Sequence, residues 1–267
     1  MKKIYHILSI AGTDPVGGAG IQSDLKTFSA LGAYGITIVT SLVAQNTRGV
    51  QLVYPISADF VAMQMESVFS DVRIDSAKIG MVGQASIIHV IAEKLKKYTV
   101  PWLILDTVMV SKSGDLLLDK NAVSSLRNLL LPLASVITPN LPEAAILLGC
   151  TPAINENQMR QQGRSLLKLG CQVVIMKGGH LASNSSPDWL ISSDYELRLE
   201  SMRISTQHTH GTGCTLSAAL AALRPRYNNW QQTLQAAKAW LQQALLHADD
   251  LNIGKGIGPV HHFYDKW

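Results

Sequence analysis

No stretch of the chain approaches the ~18 consecutive apolar residues that a membrane span needs; glycine, threonine, serine, glutamine or lysine interrupts every apolar run. A leader peptide is not expected either. After Met1-Lys2-Lys3, the segment Ile4–Ile10 is short, mixed with Tyr5, His6 and Ser9, and runs straight into Gly12-Thr13-Asp14, the pattern of a first strand and its turn. Cysteine is scarce: Cys150, Cys171 and Cys214 are an odd number without a CxxC pair, which excludes a disulfide framework and a zinc site. Two of them are expected to be ordinary buried thiols; Cys214 stands apart. Charge is sparse at 16%, but with 47% hydrophobic residues the chain has ample core and is not disordered. The net charge of 23 − 19 = +4 is dispersed, and its densest run (Lys94, Lys96, Lys97) suits the polar face of a helix. No nucleic-acid or membrane partner is therefore expected. Repeats, low-complexity linkers and composition breaks are absent, so residues 1–267 read as a single soluble, cytoplasmic domain.

What is present is an alternation of short β-type runs and helical patterns. Ile4–Ile10, Ile36–Val43, Ala77–Ile79, Trp102–Leu105, Ser135–Ile137 and Val173–Met176 read as strands, several too apolar to alternate, which implies a sheet covered on both faces. Helices are expected over Ile21–Leu31, Ala58–Val72 with Ser57 as N-cap, Ile87–Lys97, Ala122–Leu131, Glu143–Leu148, Glu156–Leu169, Thr215–Leu223 and Trp230–Leu251. Trp189–Leu199 reads as a small antiparallel hairpin or edge. Such an order predicts right-handed crossovers and a mostly parallel sheet, whose ligands gather at the carboxyl ends of the strands.

The residues just after each strand are therefore the candidates. Gly12 to Gly20 carries four glycines and opens a helix; it is neither a P-loop nor GxGxxG, and reads equally as a tight turn or a ligand loop. Gln45-Asn46 offers amides that would cap a turn or pair with a heterocycle presenting a ring nitrogen beside an amino group. Asp106, Asn140 and Glu143 suit either helix capping or magnesium, bound directly or through its waters. Lys177, before Gly178-Gly179-His180, is a phosphate contact or a surface lysine. The most informative segment is Thr209-His210-Gly211-Thr212-Gly213-Cys214-Thr215. A helix N-terminus framed by glycines stabilises anions, including a transferring phosphoryl group, and is expected to lower a thiol pKa.

Taken in order, the segments Ala11–Asp14, Gly17–Gln22, Asp24–Lys26, Val43–Thr47, Lys78–Met81, Leu105–Met109, Thr138–Glu143, Met176–His180 and His210–Cys214 resemble the ribokinase-like vitamin kinases. The likeness is greatest to their hydroxymethylpyrimidine/phosphomethylpyrimidine kinase branch, in thiamine biosynthesis. The resemblance spans essentially the whole chain. It implies a three-layer αβα sandwich with a mostly parallel central sheet, an ATP- and magnesium-dependent phosphotransferase, and a homodimer. The implied reaction phosphorylates 4-amino-5-hydroxymethyl-2-methylpyrimidine to its monophosphate and then to the diphosphate. By position, Gly211, Gly213 and Cys214 look like the anion hole and Lys177 like its phosphate-binding lysine. Asp106, Asn140, Glu143, Thr209 and Thr212 would serve ATP, with Asp106 and Glu143 organising magnesium. Gln45, Asp24, Gly12, Met81 and Val108 would line the pyrimidine pocket. Cys214 replaces the aspartate base of the wider sugar-kinase superfamily and is shared with some pyridoxal kinases, so pyridoxal/pyridoxine kinase is the alternative. A cysteine hydrolase built on Cys214 with His208 or His210 ranks lower, since it leaves the lysine and the acidic strand ends without a role. Lys177→Met is expected to lower turnover with stability near wild type.

Overall fold

Alternation along the strands decides the layering. Leu8, Ile10, Ile79, Leu105 and Met176 pack into one buried cluster, while Ile7, Ile104, Val136 and Ile175 pack into another on the opposite face. The computed structural model describes residues 3–109, 118, 120–182 and 185–267. β1 (His6–Ala11), α1 (Gly20–Ala30) and β2 (Tyr34–Val39) come first, followed by a hairpin of β3 (Ser41–Asn46) and β4 (Gly49–Pro55). α2 (Ala58–Phe69), β5 (Ser76–Ile79), α3 (Ala85–Lys97), β6 (Leu103–Leu105), α4 (Lys120–Ser125) and β7 (Val136–Ile137) continue the alternation. Then come α5 (Leu141–Leu148), α6 (Glu156–Leu167), β8 (Val173–Lys177), β9 (Asp188–Ser192), β10 (Glu196–Leu199), α7 (Thr212–Leu223) and α8 (Trp230–Leu246).

Among the described residues the central sheet has eight strands in the order β10-β9-β8-β7-β6-β5-β1-β2. β8, β7, β6, β5, β1 and β2 are parallel, and β9 and β10 add an antiparallel edge, the hairpin expected at Trp189–Leu199. Helices α2, α3, α5 and α6 cover one face; α1, α7 and α8 cover the other. The fold is a three-layer α/β/α sandwich. No helix of the described residues is long and apolar enough to cross a membrane.

Local chemistry sets the helix starts. Ser57 accepts from the Phe60 amide, and Asn155 and Asn229 cap α6 and α8 in the same way. At α5, Asn140 and Glu143 form a complete capping box.

Four expectations need correction. The run Ile36–Val43 is not one strand. It breaks at Thr40, where β2 ends its pairing with β1 and β3 turns away to pair with β4, so the hairpin forms a separate two-stranded sheet. β-Branched residues continue across the break, and only the competing partners place it. The helix at Ala122–Leu131 is α4 followed by a π turn, and α8 stops at Leu246 before a 3-10 turn over Ala248–Leu251. Finally, Cys150 is exposed, just past the αL cap at Gly149, whereas Cys171 is buried as expected.

Candidate active site

The carboxyl ends of β1, β5, β6, β7 and β8 open on one cavity of about 690 Å3, a volume typical of small-molecule sites. Gly12, Gln45, Met81, Asp106, Val108, Asn140, Glu143, Lys177, Thr209, Gly211, Thr212, Gly213 and Cys214 all line it. The sheet topology brings them together from segments far apart in sequence.

Asp24 is the exception. Its side chain is fully buried on α1, where both carboxylate oxygens hold the Lys78 ammonium at 2.9 and 2.8 Å and Ser9 donates a further hydrogen bond. It lies under the cavity, not in its wall. The physical reason is the alternation of β1 and β5, which turns Ser9 and Lys78 toward the α1 layer, where a buried ammonium requires a carboxylate partner. From sequence alone Lys78 has no assigned role; its one signal is a lysine inside the otherwise apolar run Ala77–Ile79, which the structure buries at every position.

At the other end, Lys177 sits between two carboxylates, 3.1 Å from Asp106 Oδ1 and 3.9 Å from Glu143 Oε2. Thr138 donates to Asp106 Oδ1 and Ser217 to Oδ2, while Glu143 accepts from the Asn140 amide and Thr107. Burial by itself would raise the Asp106 carboxyl, but Lys177 and Lys78 hold it below the ordinary carboxylate range. Burial, helped by neighbouring Asp106, pushes Glu143 upward against the pull of Lys177. Against the burial that would lower it, Lys177 is held charged by Asp106 and Glu143. Hard oxygen donors on two carboxylates fit a magnesium ion that keeps several of its waters, since both Asp106 oxygens are already engaged by protein donors.

The start of α7 faces the same point. A Cβ placed on Gly213 would lie 3.4 Å from Lys177 Nζ and 3.8 Å from Asp106 Oδ2, so the helix N-terminus, the lysine and the carboxylate converge. Gly211 caps α7 with φ +76° and has no side-chain cap, leaving first-turn N–H groups directed at the cavity. Its Cβ would fall 1.6 Å from the Gly18 carbonyl oxygen, so the two glycine segments are packed backbone to backbone. Buried Asp14 fixes the first segment. It accepts from the amides of Val16, Gly18 and Ala19 and lies 2.8 Å from His210 Nε2. His210 Nε2 is held by Asp14 and His208 Nδ1 accepts from the Gly258 amide, and among the described residues neither imidazole hydrogen-bonds the Cys214 thiol as a cysteine hydrolase would require.

Cys214 is half-buried in the first turn of α7. Its thiol is pushed up by burial, and Asp106 and Asp24 add to this; Lys78 and the Gly20 amide pull the other way. The expected lowering at a helix N-terminus is therefore reversed, because desolvation and two carboxylates outweigh it. On the opposite wall, a register shift between Ala44 and Gln45 in β3 accompanies the half-buried Gln45 side chain, whose amide makes no hydrogen bond among the described residues.

A helix N-terminus, a lysine held between carboxylates and a cavity at the strand ends define a phosphotransferase on a ribokinase-like scaffold. The sequence matches the family model for phosphomethylpyrimidine kinase over residues 14–261. The hydroxymethylpyrimidine/phosphomethylpyrimidine kinase of Escherichia coli is 61% identical over 267 residues, covering 100% of both chains, and that of Salmonella typhimurium is 60% identical, covering 98% of each. Among solved structures, phosphomethylpyrimidine kinase from Clostridium difficile superposes with TM-score 0.81 at 39% identity, covering 90% of this chain and 99% of that one. An ADP complex of Bacillus subtilis pyridoxal kinase gives 0.90 at 33% identity, with 99% of each chain covered. This chain belongs to the phosphomethylpyrimidine kinase family and is a kinase.

Proposed function

We propose that the chain, as a single kinase domain over residues 1–267, transfers the terminal phosphoryl group of ATP to the hydroxymethyl oxygen of 4-amino-5-hydroxymethyl-2-methylpyrimidine. The resulting monophosphate is then phosphorylated in the same cavity, in service of thiamine biosynthesis. The observation that carries this reading is the two-ended cavity. One wall presents the unengaged amide of Gln45, a paired donor and acceptor for an aminopyrimidine edge; the other presents the α7 N-terminus and Lys177. Gly12, Met81 and Val108 supply the apolar bed between them.

Phosphoryl transfer through a loose transition state requires mainly positioning and charge neutralisation. Lys177 and the first-turn amides of α7 neutralise the three equatorial oxygens. Asn140, Thr209 and Thr212 line the same cavity and would serve the nucleotide. Asp106 and Glu143 would hold magnesium, which would supply further positive charge to the nucleotide phosphates. Cys214, held neutral by its surroundings, places no fixed anion beside an acceptor that is itself a phosphate in the second step.

Phosphorus NMR of purified protein with ATP, magnesium and the aminopyrimidine tests the assignment, with monophosphate and then diphosphate expected. The pyridoxal kinase likeness at TM-score 0.90 makes pyridoxal the competing acceptor, and turnover of pyridoxal without turnover of the pyrimidine would reverse the assignment. Gln45→Glu should cost at least about tenfold in kcat/KM for the pyrimidine, roughly 1.4 kcal/mol, by opposing a lone pair to the substrate.

We further propose a cytoplasmic homodimer. Free cysteines suit a reducing compartment. The outer face of the β3–β4 hairpin pairs Leu42 with Tyr54 and Ala44 with Leu52, and Tyr54 and Leu52 are 64% and 63% exposed, an apolar stripe suited to a second copy. Light scattering on the wild type and on Leu52→Asp would decide it, since a dimer through this face becomes a monomer in the variant.

A further inference from the structure

The segment Gly254-Lys255-Gly256-Ile257-Gly258-Pro259 follows α8 and carries glycine at alternate positions. Each glycine marks a contact too close for a side chain. A Cβ would lie 2.4 Å from Thr47 Oγ1 at Gly254, 2.1 Å from the Thr47 carbonyl oxygen at Gly256, and 2.5 Å from His208 Nδ1 at Gly258. Hydrogen bonds follow the same path. The Gly256 amide donates to Thr47 Oγ1 at 3.0 Å and the Ile257 amide to the Thr47 carbonyl at 2.8 Å. The Gly258 amide donates to His208 Nδ1 at 3.0 Å, and its carbonyl accepts from the His210 amide at 3.0 Å.

The two ends of this strap are significant places. Thr47 lies two residues after Gln45, at the turn of the hairpin, and His210 immediately precedes Gly211, the cap of α7. A two-stranded sheet is marginal by itself, so the hairpin takes its position from its anchors. One anchor is at its root, where Thr13 exchanges hydrogen bonds with Ser41 and Val43; the strap is the anchor at its tip.

We infer that Thr47 is a positioning residue which, through the Gly254–Gly258 strap, couples occupancy of the aminopyrimidine wall to the geometry of the phosphate-binding turn at Thr209–Cys214. The inference rests on the proposed function. A pyrimidine held by Gln45 orders the hairpin, the ordered hairpin fixes Thr47, and the strap then holds His208 and His210 in register with the α7 N-terminus. The second ligand therefore meets a turn whose ordering cost is already met, and by linkage the effect is reciprocal.

The test is calorimetric titration of the full chain with 4-amino-5-hydroxymethyl-2-methylpyrimidine, alone and with saturating AMP-PCP and magnesium. In wild type the pyrimidine should bind about tenfold tighter in the presence of the nucleotide analogue. In Thr47→Val, which keeps the shape and loses the hydroxyl, the factor should fall below about twofold, with the thermal midpoint near wild type. Thr47→Ser should restore it, and Gly256→Ala, which wedges the strap from Thr47, should abolish it. Both ligands binding wild type with no coupling, or coupling unchanged in Thr47→Val and Gly256→Ala, would overturn the inference and leave the kinase reading intact. Failure of wild type to bind the pyrimidine would overturn both.

Discussion

Removing the charge of Lys177 should unfold as well as inactivate. In Lys177→Met the aliphatic stem survives, but Asp106 and Glu143 lose the ammonium that stands 3.1 and 3.9 Å from them. Asp106 is 1% exposed and Glu143 7%, so water replaces the ammonium only from the cavity side and incompletely. Deleting one partner of a buried pair costs about 3–5 kcal/mol. Lys78 still acts on Asp106, and Glu143, already raised, can take up a proton, so the low end applies: about 3 kcal/mol at pH 7.5, or roughly 6–10 °C in Tm. The dependence on pH has a definite sign. In wild type the lowered Asp106 contributes stability that is complete above the ordinary carboxylate range and is lost as pH falls through its lowered value. In the variant both carboxyls shift upward, Glu143 further above its unfolded value, so relative to wild type the folded state binds extra protons and the deficit narrows on acidification. Urea unfolding at pH 7.5 and 5.5 should show the deficit shrinking to about 1 kcal/mol at the lower pH. Turnover should fall at least about a hundredfold at either pH. Lys177→Met/Asp106→Asn should regain stability without regaining activity. A variant as stable as wild type at pH 7.5, or a deficit independent of pH, would refute the reasoning and return Lys177 to the purely catalytic role its sequence position suggests.

Gly211→Ala should cost about a hundredfold in turnover, because its Cβ meets the Gly18 carbonyl at 1.6 Å; Gly149→Ala, at φ +66° with open space around it, should cost only about 1 kcal/mol of stability and no activity. Cys214→Asp should impair phosphorylation of the monophosphate far more than that of the free alcohol, since it adds a fixed anion near Asp106; equal losses in the two separately measured half-reactions would show that charge is not the reason for the thiol. His262, whose Nε2 lies 3.0 Å from Ser23 Oγ and 3.1 Å from Thr215 Oγ1, is pushed down to about 3 by burial, with Lys26 and His261 adding repulsion. The unfolded chain therefore takes up this proton first, and about 2 kcal/mol of stability should disappear between pH 7 and pH 5. His262→Gln should flatten that part of the urea-unfolding profile, and an unchanged slope would count against a neutral buried imidazole.

The order of elements and the glycine turns are properties of short stretches of sequence. Runs such as Val173–Met176 have no polar residue to show to water, which marks them as segments covered on both sides. Gly211 and Gly20 serve backbone conformations that are local, and the strand-end rule then places Asp106 and Lys177 together without knowledge of their contacts. The break at Thr40, the pairing of Asp24 with Lys78, the raised thiol of Cys214 and the strap from Thr47 to His210 were decided elsewhere. Each depends on groups tens to hundreds of residues apart, such as the 54 that separate Asp24 from Lys78 and the 209 that separate Thr47 from Gly256. A residue's type declares what it is able to bind. Its partner, its distance from water and hence its charge are set only when the packed chain has excluded solvent, because burial and Coulomb energy depend on separation in space and not on separation in sequence.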